Sequence, residues 1–150
     1  MRVGTGTPGR ESRSGRARRL VAVNTPRRKL RQSGTLSLRE FTSLADRVVD
    51  ELPAALVREL NGGFVVEPGE KRDGDLVVLG EYIWDDWLGR RVVLYYGSFV
   101  ALLGRAPRGA WERELRATVR HELRHHVEAL AGLDDLARED LAWLAKYKGD

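Results

Sequence analysis

The chain has 150 residues, 42% of them hydrophobic, no cysteine and a formal net charge of +4. That length supports one domain with a real core and not two, and the lack of cysteine excludes both a disulfide framework and any Cys-ligated zinc. The charge is unevenly divided: residues 1–36 carry ten Lys/Arg against Glu11 alone, a net of +9, whereas residues 37–150 carry 16 bases against 21 acids, a net of −5. The basic character therefore belongs to the first 36 residues, and it does not mark the whole chain as a nucleic-acid binder.

Residues 1–36 are rich in Arg, Gly, Ser, Thr and Pro. Such a composition buries too little apolar surface to offset its ordering entropy, so a disordered basic tail is expected. Its clusters Arg16-Ala17-Arg18-Arg19 and Arg27-Arg28-Lys29 are the only places where contact with nucleic acid or an anionic surface is expected. No apolar run approaches the roughly 20 residues of a membrane-spanning helix. The cluster Leu20-Val21-Ala22-Val23 is too short for the apolar part of a secretory signal. A cytoplasmic protein without membrane partners is the expectation.

A domain is predicted over residues 37–150. Ser37 and Glu40 have capping-box spacing, and Leu38, Phe41, Leu44, Val48 and Val49 follow at helical intervals, which predicts a helix to about Glu51. Pro53 interrupts it, and a short second helix over residues 54–60 ends at Asn61-Gly62-Gly63. Short β-type runs then follow: Phe64-Val65-Val66, Leu76-Val77-Val78-Leu79 with Gly80-Glu81-Tyr82-Ile83 extending it, and residues 91–96. Residues 67–75 are predicted as an exposed loop, 84–89 as a turn and 98–103 as a short helix stopped by Gly104. A long helix is predicted from Trp111 to Ala131, and a last helix from about Asp135 to Tyr147. The fold class is α+β, with a three- to four-stranded sheet that needs helices on at least one face.

The long helix carries His121-Glu122-Leu123-Arg124-His125-His126, which holds all three histidines of the chain. The first five residues are the HExxH pattern of zinc peptidases. Histidines at i and i+4 project from one helix face and can reach one ion, whereas Glu122, roughly 100° further round, is placed to take a proton from water. Leu115, Val119, Leu123, Val127 and Leu130 form a core stripe, and Glu114, Thr118, His121, His125 and Glu128 a separate polar one. The metzincin continuation HExxHxxGxxH is absent, because Glu128 and Ala131 stand where its glycine and third histidine would be. A third ligand must therefore be a carboxylate from elsewhere: Glu128 if the helix bends, Asp134, Asp135, Glu139 or Asp140 if the chain folds back, or Glu81. Tyr95 or Tyr96 could support a developing oxyanion, though strand tyrosines also serve packing. Trp84 and Trp87 could form an aromatic rim or anchor a turn, and His126 could orient the site or lie on the surface.

Residues 37–147 resemble the small bacterial zincin-like metallopeptidases. The resemblance rests on Glu51-Leu52-Pro53, Leu60-Asn61-Gly62-Gly63, Leu79-Gly80-Glu81-Tyr82 and Val93-Leu94-Tyr95-Tyr96-Gly97-Ser98-Phe99. It continues through residues 121–128, Leu130-Ala131-Gly132, Asp135-Leu136 and Glu139-Asp140. It implies a minimal zincin-like fold, a zinc ion held by His121 and His125, Glu122 as general base, and a peptide or protein substrate. It also implies an aspartate soon after the helix as third ligand, best matched by Asp140 and next by Asp135. The competing expectation is a zincin-scaffold binding module without turnover.

Overall fold

The computed structural model describes residues 15–22 and 35–131. In chain order these form β1 (Gly15–Ala22), α1 (Leu38–Asp50), α2 (Ala54–Arg58), β2 (Gly63–Glu67), β3 (Arg72–Asp73), β4 (Leu76–Asp85), β5 (Gly89–Tyr95), α3 (Tyr96–Leu103) and α4 (Arg108–Ala131). The architecture is α+β, as the sequence indicates, but the sheet has five strands rather than three or four. Strand order is β1-β4-β5-β2, with β3 paired to β4; β2 runs parallel to β5 and the other pairs are antiparallel. Among the described residues no helix is long and apolar enough to cross a membrane.

Local signals set the helix ends. Ser37 and Glu40 make the reciprocal capping box, with bonds of 2.8 and 3.1 Å. The Pro53 carbonyl accepts from Leu56 and Val57 to start α2, and the Pro107 carbonyl does the same for α4 through Ala110 and Trp111. That proline-led turn begins α4 at Arg108, three residues before the position that apolar periodicity suggests. Asn61 joins the β4–β5 turn to the end of α2, its Oδ1 accepting from Arg90 N at 3.0 Å. A Cβ on Gly89 would lie 2.5 Å from that same oxygen, and Gly89 has φ +76°, so only glycine fits there.

The core lies between the sheet and the helices. Phe41, Leu44, Leu56, Leu79, Leu94, Phe99, Trp111, Leu115, Val119 and Leu123 are all fully buried in it. The stripe foreseen on α4 is thus the face against the sheet.

Residues 15–22 correct the expectation of a disordered tail over 1–36. They pair with β4 from Gly15 opposite Trp84 to Ala22 opposite Leu76, with a bulge in the register between Arg19 and Leu20. Ala17 and Val21 pack against the core. The arginines of the strand are met by acids distant in sequence: Arg16 and Arg18 by Glu81, Arg18 by Asp73, and Arg19 by Glu114. The loop foreseen at 67–75 likewise contains β3. The helix expected over 135–147 lies outside the described residues.

α4 packs directly onto the backbone of β4 at Gly80. A Cβ there would stand 2.9 Å from Thr118 Cγ2, 3.3 Å from the Val93 carbonyl oxygen and 3.5 Å from Glu122 Cγ. Gly80→Val should lower stability by about 1–3 kcal/mol in urea unfolding, because helix and sheet must separate. Gly69→Ala, at a position with nothing within 4 Å, should change it by less than about 0.5 kcal/mol.

Candidate metal centre on helix α4

Because Leu115, Val119, Leu123 and Val127 face the core, His121 and His125 are turned to the border of that face, each partly exposed. Their Nε2 atoms stand 3.3 Å apart, with ring planes at 79°. Two nitrogens each about 2.0–2.1 Å from one tetrahedral zinc are about 3.3–3.4 Å apart, so the pair fits such an ion. His125 Nδ1 lies 3.6 Å from Glu128 Oε1. Glu128 thus sits beside the nitrogen that does not converge on His121, where it can orient the ring. Burial, the His125 charge and the charges of Arg19 and Arg124 lower the His121 pKa, which favours the neutral imidazole that a metal requires.

Glu122 is fully buried, and neither carboxylate oxygen has a hydrogen-bond partner among the described residues. Burial, and then the nearby charge of Glu81, push its pKa up to about 8, against opposition from Arg19 and from the backbone of Arg19 and Tyr82. A dry carboxylate without a partner is costly unless water or an ion meets it, and it is a mark of a functional position. This carboxylate faces β1 and β4.

The other expected candidates lie elsewhere. Glu81 neighbours Tyr82, whose ring touches His126 on α4, so strand alternation points Glu81 to the opposite sheet face. There it receives Lys71 at 3.0 Å, Arg16 at 3.3 Å and the Tyr95 hydroxyl at 2.7 Å. Burial works against its ionisation, but the Tyr95 and Lys71 bonds and the nearby cations hold its carboxyl below the usual range. It serves there as a counter-ion, away from the histidine pair. Tyr95 is committed to Glu81, and Tyr96 donates to the Leu36 carbonyl at 2.5 Å, so neither hydroxyl serves the histidine pair. Trp84 anchors the β4 end by stacking on Tyr82 at 5.2 Å, whereas Trp87 is 91% exposed in the turn. Asp134, Asp135, Glu139 and Asp140 lie outside the described residues. Among the described residues no three His, Cys, Asp or Glu side chains gather as a metal site.

His126 is neither a surface residue nor a donor to the site. It is fully buried, with Nδ1 2.9 Å from the Tyr82 hydroxyl, which in turn accepts from Arg90 Nη1 at 2.9 Å. The hydroxyl's own proton therefore goes to Nδ1, leaving the hydrogen of neutral His126 on Nε2.

Sequence reasoning missed Arg18 and Arg19. Arg19 opposes Gly80 in the β1–β4 register, and its side chain pairs with Glu114 on α4. The available signal was the opposite charge of the first 36 residues and the rest of the chain.

These features define the class: an α+β domain whose HExxH helix lies against a mixed sheet. No family model matches the chain, and no curated protein does. A solved structure of a conserved hypothetical protein from Thermus thermophilus is 37% identical, with a TM-score of 0.55, covering 64% of this chain and 98% of that one. The chain belongs to the family of that protein, whose description names no activity.

Burial lowers the His126 pKa to about 4, with the Leu56 backbone opposing and Arg90 reinforcing the shift. The unfolded chain binds this proton near pH 6.5 and the folded chain only near 4, so the stabilisation is complete above about 6.5 and lost as pH falls toward 4. Urea midpoints of the metal-free protein at pH 7 and 4.5 should show this fall, worth up to about 3 kcal/mol. His126→Phe should make the fall smaller.

Proposed function

We propose that the protein is a zinc-dependent hydrolase acting on peptides or proteins in the cytoplasm. The observation that carries the reading is the pair of histidine Nε2 atoms 3.3 Å apart beside a buried carboxylate with no partner among the described residues. The resemblance of residues 37–147 to zincin-like metallopeptidases points the same way. His121 and His125 would hold the ion, and a carboxylate after α4, with Asp140 the best match, would complete the set.

Zinc, when bound, supplies Lewis acidity toward water and the substrate carbonyl. Glu122 accepts the proton of the attacking water and delivers it to the leaving amine, a task suited to a carboxyl whose environment raises its pKa. Glu128 steadies the His125 ring, and the bond between His126 and Tyr82 fixes the turn of α4 on which both ligands sit. The arginines of β1 are occupied by Glu81, Asp73 and Glu114, so this part of the basic segment offers little to nucleic acid. Contact of that kind would fall to other residues of 1–36.

Glu122→Gln should retain one zinc per chain by metal analysis and lose peptide hydrolysis by roughly 100-fold or more. His121→Ala and His125→Ala should each lose the metal. Stoichiometric zinc with no turnover of a peptide library would favour the binding-module reading, and absence of zinc would end the hydrolase reading.

A further inference from the structure

We infer that Arg19, Thr118 and Glu122 enclose a binding site for one internal water over Gly80, and that this water positions the Glu122 carboxylate. The site is built by β1, β4 and α4 together. It needs no ion on the histidine pair, and it adds to the hydrolase reading a hydrogen-bonded partner for the proton carrier.

Six buried side-chain polar atoms lack a hydrogen-bond partner among the described residues, and four of them are Arg19 Nε, Thr118 Oγ1 and the two Glu122 oxygens. These three residues meet at one place. From the point where a Cβ on Gly80 would stand, Thr118 Cγ2 is 2.9 Å away and Glu122 Cγ 3.5 Å. Arg19 is the β1 residue opposite Gly80, and directly opposed residues on paired strands hold their Cβ positions about 4.5–5.5 Å apart.

The path of the Arg19 side chain brings Nε to the other two residues. Its guanidinium ends at Glu114, to which Nη2 is paired. Glu114, Thr118 and Glu122 follow at intervals of four on α4, so their side chains stand one above another on one face. Arg19 therefore starts beside Gly80, at the level of Thr118 and Glu122, and ends one turn nearer the start of the helix. Its Nε, between those ends, passes Thr118. Helical side chains lean toward the N-terminus, which tips the Glu122 carboxylate back over Thr118 from the other side.

The three groups complement a water. Arg19 Nε carries a hydrogen, the Thr118 hydroxyl can give or take one, and a carboxylate oxygen accepts. A water there accepts from Nε–H and from the hydroxyl and donates to Glu122, which makes the three hydrogen bonds typical of a buried water. A helical threonine commonly returns its hydroxyl to a carbonyl of the preceding turn. That of Thr118 has no partner among the described residues, which leaves it for this role. Without the water, three polar groups would lie desolvated at one spot, each at a cost. With it, the carboxylate has a fixed bearing at a fully buried position.

Two measurements on the full, metal-free chain test this. A crystal structure should show one ordered water about 2.7–3.2 Å from Arg19 Nε, Thr118 Oγ1 and a Glu122 oxygen. Crystals of Thr118→Ser, which keeps the hydroxyl, should retain that water, and crystals of Thr118→Val should lack it. In urea unfolding, Thr118→Val should lower the folded-to-unfolded ratio about 3–10-fold. The same substitution should have little effect in a Glu122→Met background, where the water has already lost its acceptor. A dry site in the native crystal overturns the inference. So does a Thr118→Val chain at least as stable as the native one, which is what removing an unpaired hydroxyl would give, and so does an equal loss in both backgrounds. Neither measurement involves turnover or zinc, so failure here leaves the hydrolase reading standing, and failure of that reading leaves this site standing.

Discussion

The packing of α4 onto the backbone of β4 at Gly80 is the contact on which the rest of the arrangement depends. Where β4 carries no side chain, Thr118 and Glu122 settle onto its backbone. That contact sets the distance between helix and sheet, and it draws the carboxylate of Glu122 out of water. One methyl group at residue 80 would disturb core packing and proton chemistry together. Stability and site are therefore not separable along this line of the structure.

Much of this was legible in the sequence because it is local. The capping box at Ser37 and Glu40, the break at Pro53, the stop at Gly104 and the apolar stripe of α4 each lie within a few residues. The HExxH spacing is local too, and it placed His121 and His125 on one face with Glu122 turned away from them. What escaped were relations between distant segments. β1 reads as disordered because its arginines look uncompensated, whereas their acids lie 55 to 95 residues further along. The parallel pairing of β2 with β5 skips over β3 and β4, and no local pattern announces it. Glu81 carries the right chemistry for a ligand, but the alternation of β4 sends it to the other face. That sense of direction becomes available only once Tyr82 is seen to touch His126.

The sheet thus separates two charged regions. On one face Glu81 gathers Lys71, Arg16, Arg18 and Tyr95 into a closed ionic cluster. On the other, Glu122 is fully buried and its carboxylate has no hydrogen-bond partner among the described residues. Two buried carboxylates, one on β4 and one packed across it, therefore have opposite tendencies: bonds from Tyr95 and Lys71 and nearby cations lower the pKa of Glu81 against its burial, whereas burial and then the charge of Glu81 raise that of Glu122. β1 contributes to both, since its alternate residues reach opposite faces.

The bond between His126 and Tyr82 has a mechanical meaning for its neighbour in sequence. A helix lying on a sheet can roll about its own axis, and a few degrees of roll would turn His121 and His125 together relative to the sheet. Tyr82, itself held by Arg90, grips the helix one residue beyond His125 and acts as a detent against that roll. An incoming ion would meet imidazoles whose bearing is already set, so that little ordering is left for binding to accomplish.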